Sequence, residues 1–565
     1  MLSIRKIGVI GRTYRHLNRY RQILTVFFKY GFGDLVDLLK IDQYIEIGLQ
    51  MISRHRRERL ERMTRAERVR LAMEELGPTY VKLGQVLSTR PDLIPVDFIH
   101  ELAKLQDEVP PFPFEDVHRI ITRELGDAPD ALFKHFDESP QASASIGQVH
   151  RAVLKDGDQV AVKVQRPGIR KTIEVDLEIM LHLATLMERH IEEIAFYRPI
   201  KIVEEFAKTL ERELDYTFES SHMERMAGHL LSDMTVYVPK VYRELTTPKV
   251  LTAEFIDGIK ISETKQLEDA GLDRREITRR GAHILLRQVF EIGFFHGDPH
   301  PGNIFVLPEN VICLLDFGMV GSVDRQTRED FVELVDAVVH RHEARTAQVL
   351  LKLTTWDEKP DMRSFEKDVA DFMGRHLYRP LEEINFGRLL QHLLELASQN
   401  RLIIPPDIFL MMKTLAAVEG VARMLDPTFD IFATAAPFVK QVKIARFHPE
   451  RLTDDFLRLS TELLEFLQQF PTELLDITRQ MRQQKFALPV ELKGLTAMLE
   501  THDQSSNRVS FAIIIAGLII GSSIIVVANI PPLFYGISLI GIIVFITGAV
   551  MGLWLLVAII KKGRL

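Results

Sequence analysis

The sequence predicts an α+β fold of two lobes, extended by helices at both ends, with a pair of apolar helices at the C-terminus. Three observations predict it. The first is an ordered set of polar residues in loops flanked by apolar strands: His296-Gly-Asp298-Pro-His300-Pro-Gly-Asn303, then Asp316-Phe317-Gly318 after Val311–Leu315. Apolar strands feeding Gly- and Pro-rich loops present reactive groups from a rigid scaffold. Asp-Pro and Asp-x-Gly are common turns when met singly. The order Asp-x-x-x-x-Asn followed by Asp-Phe-Gly is the signature of kinase-type phosphoryl transfer, with hard oxygen donors suited to Mg²⁺. The second is a loop of small residues, Ala142 to Gln148, opening a β-hairpin whose return strand carries Lys163. The third is a pair of uncharged apolar runs, Val509–Asn529 and Leu533–Ile560, on either side of Pro531-Pro532. Together they describe a protein-kinase-like two-lobed architecture with a C-terminal transmembrane helix hairpin.

A chain of 565 residues is too long for one simple core, so two or more domains are expected. The formal net charge of -7 and 26% charged residues give no support to nucleic-acid binding, which needs a strongly basic domain. The single cysteine, Cys313, rules out internal disulfides and Cys-rich zinc sites and is compatible with a reducing compartment. Residues 1–33 lack the uninterrupted apolar region and small-residue cleavage site of a signal peptide.

The organisation read from the sequence is a basic segment over 1–63, a helical extension over 64–110, and a kinase-like core over 111–330. A helical part follows over 331–507, then two transmembrane helices over 508–565. Met1 to Gly33 is basic and aromatic, and its first acidic residue is Asp34. Three readings fit it: a membrane-surface helix, a mitochondrial transit peptide, or a basic helix packed on the protein. Thr64-Arg-Ala-Glu67 is a capping box that opens a helix, ended by Gly77-Pro78. Tyr80 to Pro95 is an amphipathic segment in which Lys82 reads by itself as a surface lysine. Pro110, Pro111 and Pro113 mark a linker before a helix and a strand.

Ala142-Ser143-Ala144-Ser145-Ile146-Gly147-Gln148 leads into the first strand of the hairpin, with a Lys-Asp-Gly-Asp turn at 155–158. Lys163 stands among Val160, Ala161, Val162 and Val164, and a charge in so apolar a strand wants a partner. Acidic candidates lie in Glu211 to Glu219, read as one helix. Glu213 and Asp215, two apart, cannot share a helical face, while Asp215 and Glu219 can. Lys249 to Gly258 is a buried strand leading to a turn; in a kinase layout it joins the lobes, and its backbone around Glu254 and Ile256 would meet the adenine. The helix over 276–292 leads to the Asp298 loop. Residues 321–500 are mostly helical by period, and His340 and His342 beside Arg341 and Arg345 fit an exposed helix rather than a metal site. Gly517–Gly521 and Gly548–Gly552 have the spacing of close helix–helix packing in membranes.

With these residues together, the chain resembles the UbiB family of atypical kinase-like proteins. Lys82-x-Gly84-Gln85 looks like the family's KxGQ element, Ala142 to Gln148 its Ala-rich loop, and Glu213-x-Asp215 its ExD element. His296-Gly-Asp298 stands where typical kinases have His-Arg-Asp, and Gly147 sits where the family commonly has Ala. The resemblance implies ATP and Mg²⁺ as cofactors, ATPase rather than ordinary protein-kinase activity, and support of ubiquinone biosynthesis by aiding lipid access. Lys163 would hold the α/β phosphates with Glu219 as its partner. Asn303 and Asp316 would ligate Mg²⁺, and Asp298 would orient or activate the nucleophile, water. Lys82, Gly84 and Gln85 would form a regulatory segment folded over the site, with Lys82 latched to Glu213 and Asp215. Implied partners are membrane lipid, isoprenoid quinone precursors, other quinone-biosynthesis proteins and a second copy in a homodimer. The implied location is the bacterial cytoplasmic membrane with the kinase-like domain in the cytoplasm, the alternative being the mitochondrial inner membrane. True kinase activity on a small molecule or protein, and a non-catalytic nucleotide-binding scaffold, are the competing expectations.

Overall fold

The computed structural model describes residues 14–32, 63–90, 93–105, 109–190, 199–356, 360–376, 386–445, 495–528, 530–534 and 537–561. It divides into two units, Met1–Leu452 and Thr453–Leu565. Residues 1–13, 33–62 and 446–494, Asn529 and the basic tail after Lys561 lie outside the described residues, and with them those parts of the sequence reading.

In the first unit, helix α1 (Tyr14–Lys29) packs on the protein. Ile23, Leu24 and Val26 are buried, and Ile23 and Val26 join the apolar cluster of the helical extension. The packed-helix reading of the basic segment therefore holds for these residues. Thr64 caps α2 (Arg65–Leu76) through the reciprocal bonds of a capping box with Glu67. Gly77, at a φ of 96° that favours glycine, breaks the chain before α3 (Pro78–Leu87). The α3 helix carries Lys82, Gly84 and Gln85. A Cβ at Gly84 would run into Leu105 and the Met73 sulfur, so glycine lets α3 lie close against its neighbours. Next is α4 (Val96–Leu102).

The small lobe begins with α5 (Phe114–Leu125) and strands β1 (Phe133–Phe136), β2 (Ala142–Ser143), β3 (Gly147–Leu154) and β4 (Gln159–Gln165). Helices α6 (Ile169–His190), α7 (Pro199–Glu213) and α8 (Tyr216–Leu230) follow, then β5 (Val236–Tyr237), which pairs in the sheet of the large lobe, and β6 (Val250–Glu254). The sheet order is β1-β3-β4-β6, with β2 on β3 and every pairing antiparallel. Strand alternation explains the lysine. Val160, Val162 and Val164 point into the core at 0% exposure, so Lys163 points to the opposite face.

The run Glu211–Glu219 is not one helix. Leu214 and Asp215 break it, and the Asp215 carboxylate caps α8 by accepting from the Thr217 N–H at 3.0 Å. Glu213 thus ends one helix while Glu219 sits in the first turn of the next.

In the large lobe, β7 (Ile259–Lys260) precedes α9 (Arg274–Arg287), which runs into a π-helical turn, Gln288–Ile292. Strands β8 (Phe294–His296), β9 (Ile304–Leu307), β10 (Val311–Leu314) and β11 (Val320–Ser322) follow. Two antiparallel pairs, β9 with β10 and β8 with β11, lie on either side of the polar loops. Helices α10 (Arg325–Val339), α11 (Glu343–Leu353), α12 (Met362–His376), α13 (Phe386–Gln399), α14 (Pro406–Leu425) and α15 (Ile431–Ala445) complete the unit. His340 and His342 flank the α10–α11 junction as exposed, stacked rings.

In the second unit, α16 (Leu495–Val527) contains Val509–Val527, long and apolar enough to cross a membrane. Leu533–Phe534 (β12) pairs with Ile537–Ser538 (β13), so the second apolar run starts its helix α17 at Leu539 and not at Leu533. The described apolar part of α17, Leu539–Leu555, is shorter. Gly548 and Gly552 face Ile519 and Ile515 of α16, whereas Gly517 and Gly521 meet nothing within 4 Å. Half of the glycine spacing is thus used in packing.

Candidate active site

The two polar loops are brought side by side by strand register. His296 pairs with Val320 and Ile304 with Leu314, so the segments 297–303 and 315–319 leave neighbouring strands together. His296 ties them further. It is fully buried, its Nε2 lies 2.9 Å from the Leu315 carbonyl, and its Nδ1 accepts from the Asp298 N–H at 3.3 Å. That pattern requires the Nε2-protonated tautomer. Gln288 in the π turn accepts from the His296 N–H at 3.0 Å, and the ring packs edge-on against Phe317 at 5.2 Å. The sequence reading named His296 without seeing this bridging role.

The Asn303 amide nitrogen donates to the Asp298 carbonyl at 3.3 Å, which leaves its oxygen as the acceptor. The Leu315 N–H donates to the Asn303 carbonyl at 2.9 Å, so Asn303 is braced by both loops. Asp316 adopts φ 55°, a left-handed conformation unusual outside glycine, and its Oδ1 accepts from the Gly318 N–H at 3.2 Å.

From the small lobe, the Lys163 ammonium donates to both Glu219 oxygens, at 2.8 and 3.0 Å, and lies 4.0 Å from Asp316. Burial alone would lower the Lys163 ammonium, but Glu219 and then Asp316 outweigh it and hold the group above the ordinary lysine value. Lys163 in turn holds the Asp316 carboxyl below the usual range against its partial desolvation, with smaller help from the Gly318 N–H and Lys82. Burial raises Glu219, opposed by Lys163. The pairing of Lys163 with Glu219 is as expected. The helical-face argument pointed to Asp215 as Glu219's companion, but that carboxylate is spent on capping α8.

Lys82 pairs with Glu213 at 3.0 Å, both side chains being less than one-fifth exposed. Gly84 serves packing, and the Gln85 amide donates to the Leu105 carbonyl at 3.3 Å. In the small-residue loop, Ala142 and Ser143 form β2, and the Ala144 N–H donates to the Gly147 carbonyl at 2.8 Å, closing the turn over Ser145 and Ile146. A Cβ at Gly147 would run into the Tyr216 hydroxyl and come within 2.6 Å of the Val164 carbonyl oxygen, so alanine does not fit here. Gln148 departs from the expectation of a cofactor contact. Its side chain is buried and holds the Phe112 backbone by accepting at 3.0 Å and donating at 3.2 Å. Glu254 accepts from the Tyr237 hydroxyl at 2.5 Å, and Ile256 lies half-buried just past β6.

Among the described residues no three His, Cys, Asp or Glu side chains converge as a metal cluster. One carboxylate, Asp316, and one amide oxygen, Asn303, suit Mg²⁺, which keeps waters and shares phosphate oxygens rather than seeking an all-protein cage. The residues therefore fit a nucleotide-borne Mg²⁺.

The ABC1 atypical kinase-like domain matches residues 104–350, the UbiB helical domain 369–430, and the ABC1/UbiB kinase-like C-terminal domain 493–561. A Probable protein kinase UbiB of Aeromonas hydrophila is 37% identical over 75% of this chain and 78% of its own; that of Cellvibrio japonicus is 36% identical over 74% and 77%. The chain belongs to the UbiB family. A third relative, the uncharacterized protein in the hydrogenase 1 5′ region of Clostridium pasteurianum, is 31% identical over 97% of this chain and 99% of its own. Among solved structures, the Rv3197–erythromycin complex of Mycobacterium tuberculosis matches at TM-score 0.45 and 26% identity, over 62% of this chain and 90% of that one. As a UbiB-family protein, the chain carries a kinase-like domain with helical extensions.

Proposed function

We propose that this UbiB-family protein is a membrane-anchored atypical kinase-like ATPase. It binds Mg-ATP and supports isoprenoid quinone biosynthesis by aiding access to a lipid precursor. The observation that carries the reading is the meeting of Lys163 on β4, paired with Glu219 on α8, and Asp316 within 4.0 Å, Asp316 standing on one of the two loops that His296 ties together. Lys163, held charged and steered by Glu219, meets the phosphates; Asn303 and Asp316 hold Mg²⁺, which neutralises charge on the transferred phosphoryl; Asp298 orients the attacking water. The Lys82–Glu213 pair keeps α3 beside Asp316, which supports a restraining role for Lys82. The test is ATP hydrolysis by the purified protein in liposomes, with and without a phenolic quinone precursor. Stimulation by the phenol is expected; no ATP loss by the protein alone, with γ-phosphate labelling of a protein and matching ADP formation once cell extract is added, would support the kinase reading implied by the relatives' printed names.

Membrane anchoring belongs to the same proposal, with α16 and α17 as a spanning pair. Arg508 precedes the first apolar run and Lys561, Lys562 and Arg564 follow the second, so both flanks should stay cytoplasmic. A cysteine replacing Asn529 is expected to react with an impermeant maleimide outside spheroplasts, and one replacing Gly563 only after permeabilisation. The native Cys313 stays silent, since it is fully buried and burial pushes its thiol up to about 12. Reversed labelling would overturn the topology, and no outside labelling at either position would favour a re-entrant hairpin.

A further inference from the structure

The Tyr216 side chain has no role in the signature motifs. It opens α8 directly after the Asp215 cap, and its N–H donates to the Pro248 carbonyl at 3.1 Å, which fixes its place. The residue is 3% exposed, yet its hydroxyl has no hydrogen-bond partner among the described residues. A buried hydroxyl left unpaired pays its desolvation with no bond in return. Ser145, 1% exposed, also has an unpartnered hydroxyl, and it lies in the turn that the Ala144–Gly147 bond closes.

The surroundings of Tyr216 place it inside the site. The Lys163 ammonium lies 5.2 Å from the centre of its ring. Its hydroxyl abuts Gly147 so closely that a Cβ there has no room. It therefore presses against the loop that, in the proposed reading, covers the phosphates. Burial holds the phenol above its ordinary value; Lys163 opposes this, while Glu219, Asp316 and Glu213 add to it. The group stays a neutral donor at any physiological pH.

A donor flanked by a lysine and a phosphate-covering loop has the right chemistry for an anionic oxygen. We propose that Tyr216 is a nucleotide-binding residue whose hydroxyl donates to a phosphate oxygen, with the Ser145 hydroxyl as a second donor from the same loop. The contact explains why position 147 holds glycine: alanine would displace the hydroxyl from the loop it serves.

The inference rests on the nucleotide-binding reading, and the experiment separates the two. Mg-ATP and Mg-ADP binding is measured by titration calorimetry on the full chain in nanodiscs, for wild type, Tyr216→Phe and Ser145→Ala. Thermal midpoints are taken without nucleotide. Tyr216→Phe is expected to weaken Mg-ATP binding about tenfold or more, as befits a bond to a charged group. Its midpoint without nucleotide should equal or exceed wild type, since the variant removes an unpaired buried hydroxyl. Ser145→Ala should weaken binding by a smaller factor and keeps the test open if the phenylalanine variant does not fold. Wild-type affinity in both variants overturns the inference while leaving the nucleotide reading intact. A wild-type protein that binds neither nucleotide overturns both.

Discussion

Replacing Asp316 with asparagine is expected to abolish Mg²⁺-dependent ATP binding while leaving the protein folded. Asparagine keeps the oxygen that accepts from the Gly318 N–H, and it tolerates the left-handed backbone at φ 55°. The Asp316 side chain is 54% exposed, so its replacement opens no cavity. What is lost is the negative charge that sits 4.0 Å from Lys163 and offers the hardest oxygen donor of the site. Outer residues of metal sites are worth roughly 10- to 100-fold in metal affinity, and a direct ligand should exceed that. Calorimetric titration with ATP, with and without Mg²⁺, reads the effect directly. An unchanged affinity in the presence of Mg²⁺ would remove Asp316 from the ligand set.

Arg19→Ala should produce the largest loss of stability outside the site. The Arg19 guanidinium donates to both Asp176 oxygens, at 2.7 and 3.0 Å, and to the Leu76 carbonyl at 2.8 Å. Asp176 is completely buried. Removing the arginine leaves that carboxylate without its charge partner inside the protein, at a cost of about 3 kcal/mol or more. Replacing both, Arg19→Ala with Asp176→Leu, should recover much of the loss because no buried charge remains. Denaturant unfolding gives the energies, and hydrogen exchange over Tyr14–Lys29 shows whether α1 has come away. Equal stability in Arg19→Ala would mean that the ion pair does not hold the helix.

Several elements could be read directly from residues because local chemistry determines them. Thr64 and Glu67 satisfy each other's backbone whatever the rest of the chain does, and the box formed as expected. The β3–β4 hairpin follows from alternation and a turn, and Lys163 found its acid at Glu219. The acidic run 211–219 misled because helical period cannot register a break in which one of the acids, Asp215, becomes a cap. The signal was present in Asp215 followed by Thr217 and Glu219, an N-cap pattern. The bonds of the Gln148 side chain were not legible for another reason. It was read with the small-residue loop as a whole, and its bonds to Phe112 connect residues 36 apart. Tyr216 carried no spacing signal at all; its place became visible only when α8, β3 and β4 met.

The ion pair between α1 and α6 joins residues 157 apart in sequence. A ribosome adds roughly 5–20 residues each second, so about eight to thirty seconds separate the synthesis of Arg19 from that of Asp176. During that interval Ile23 and Val26, both buried in the finished protein, have no α6 to cover them. The helix is thus made well before the surface on which it docks.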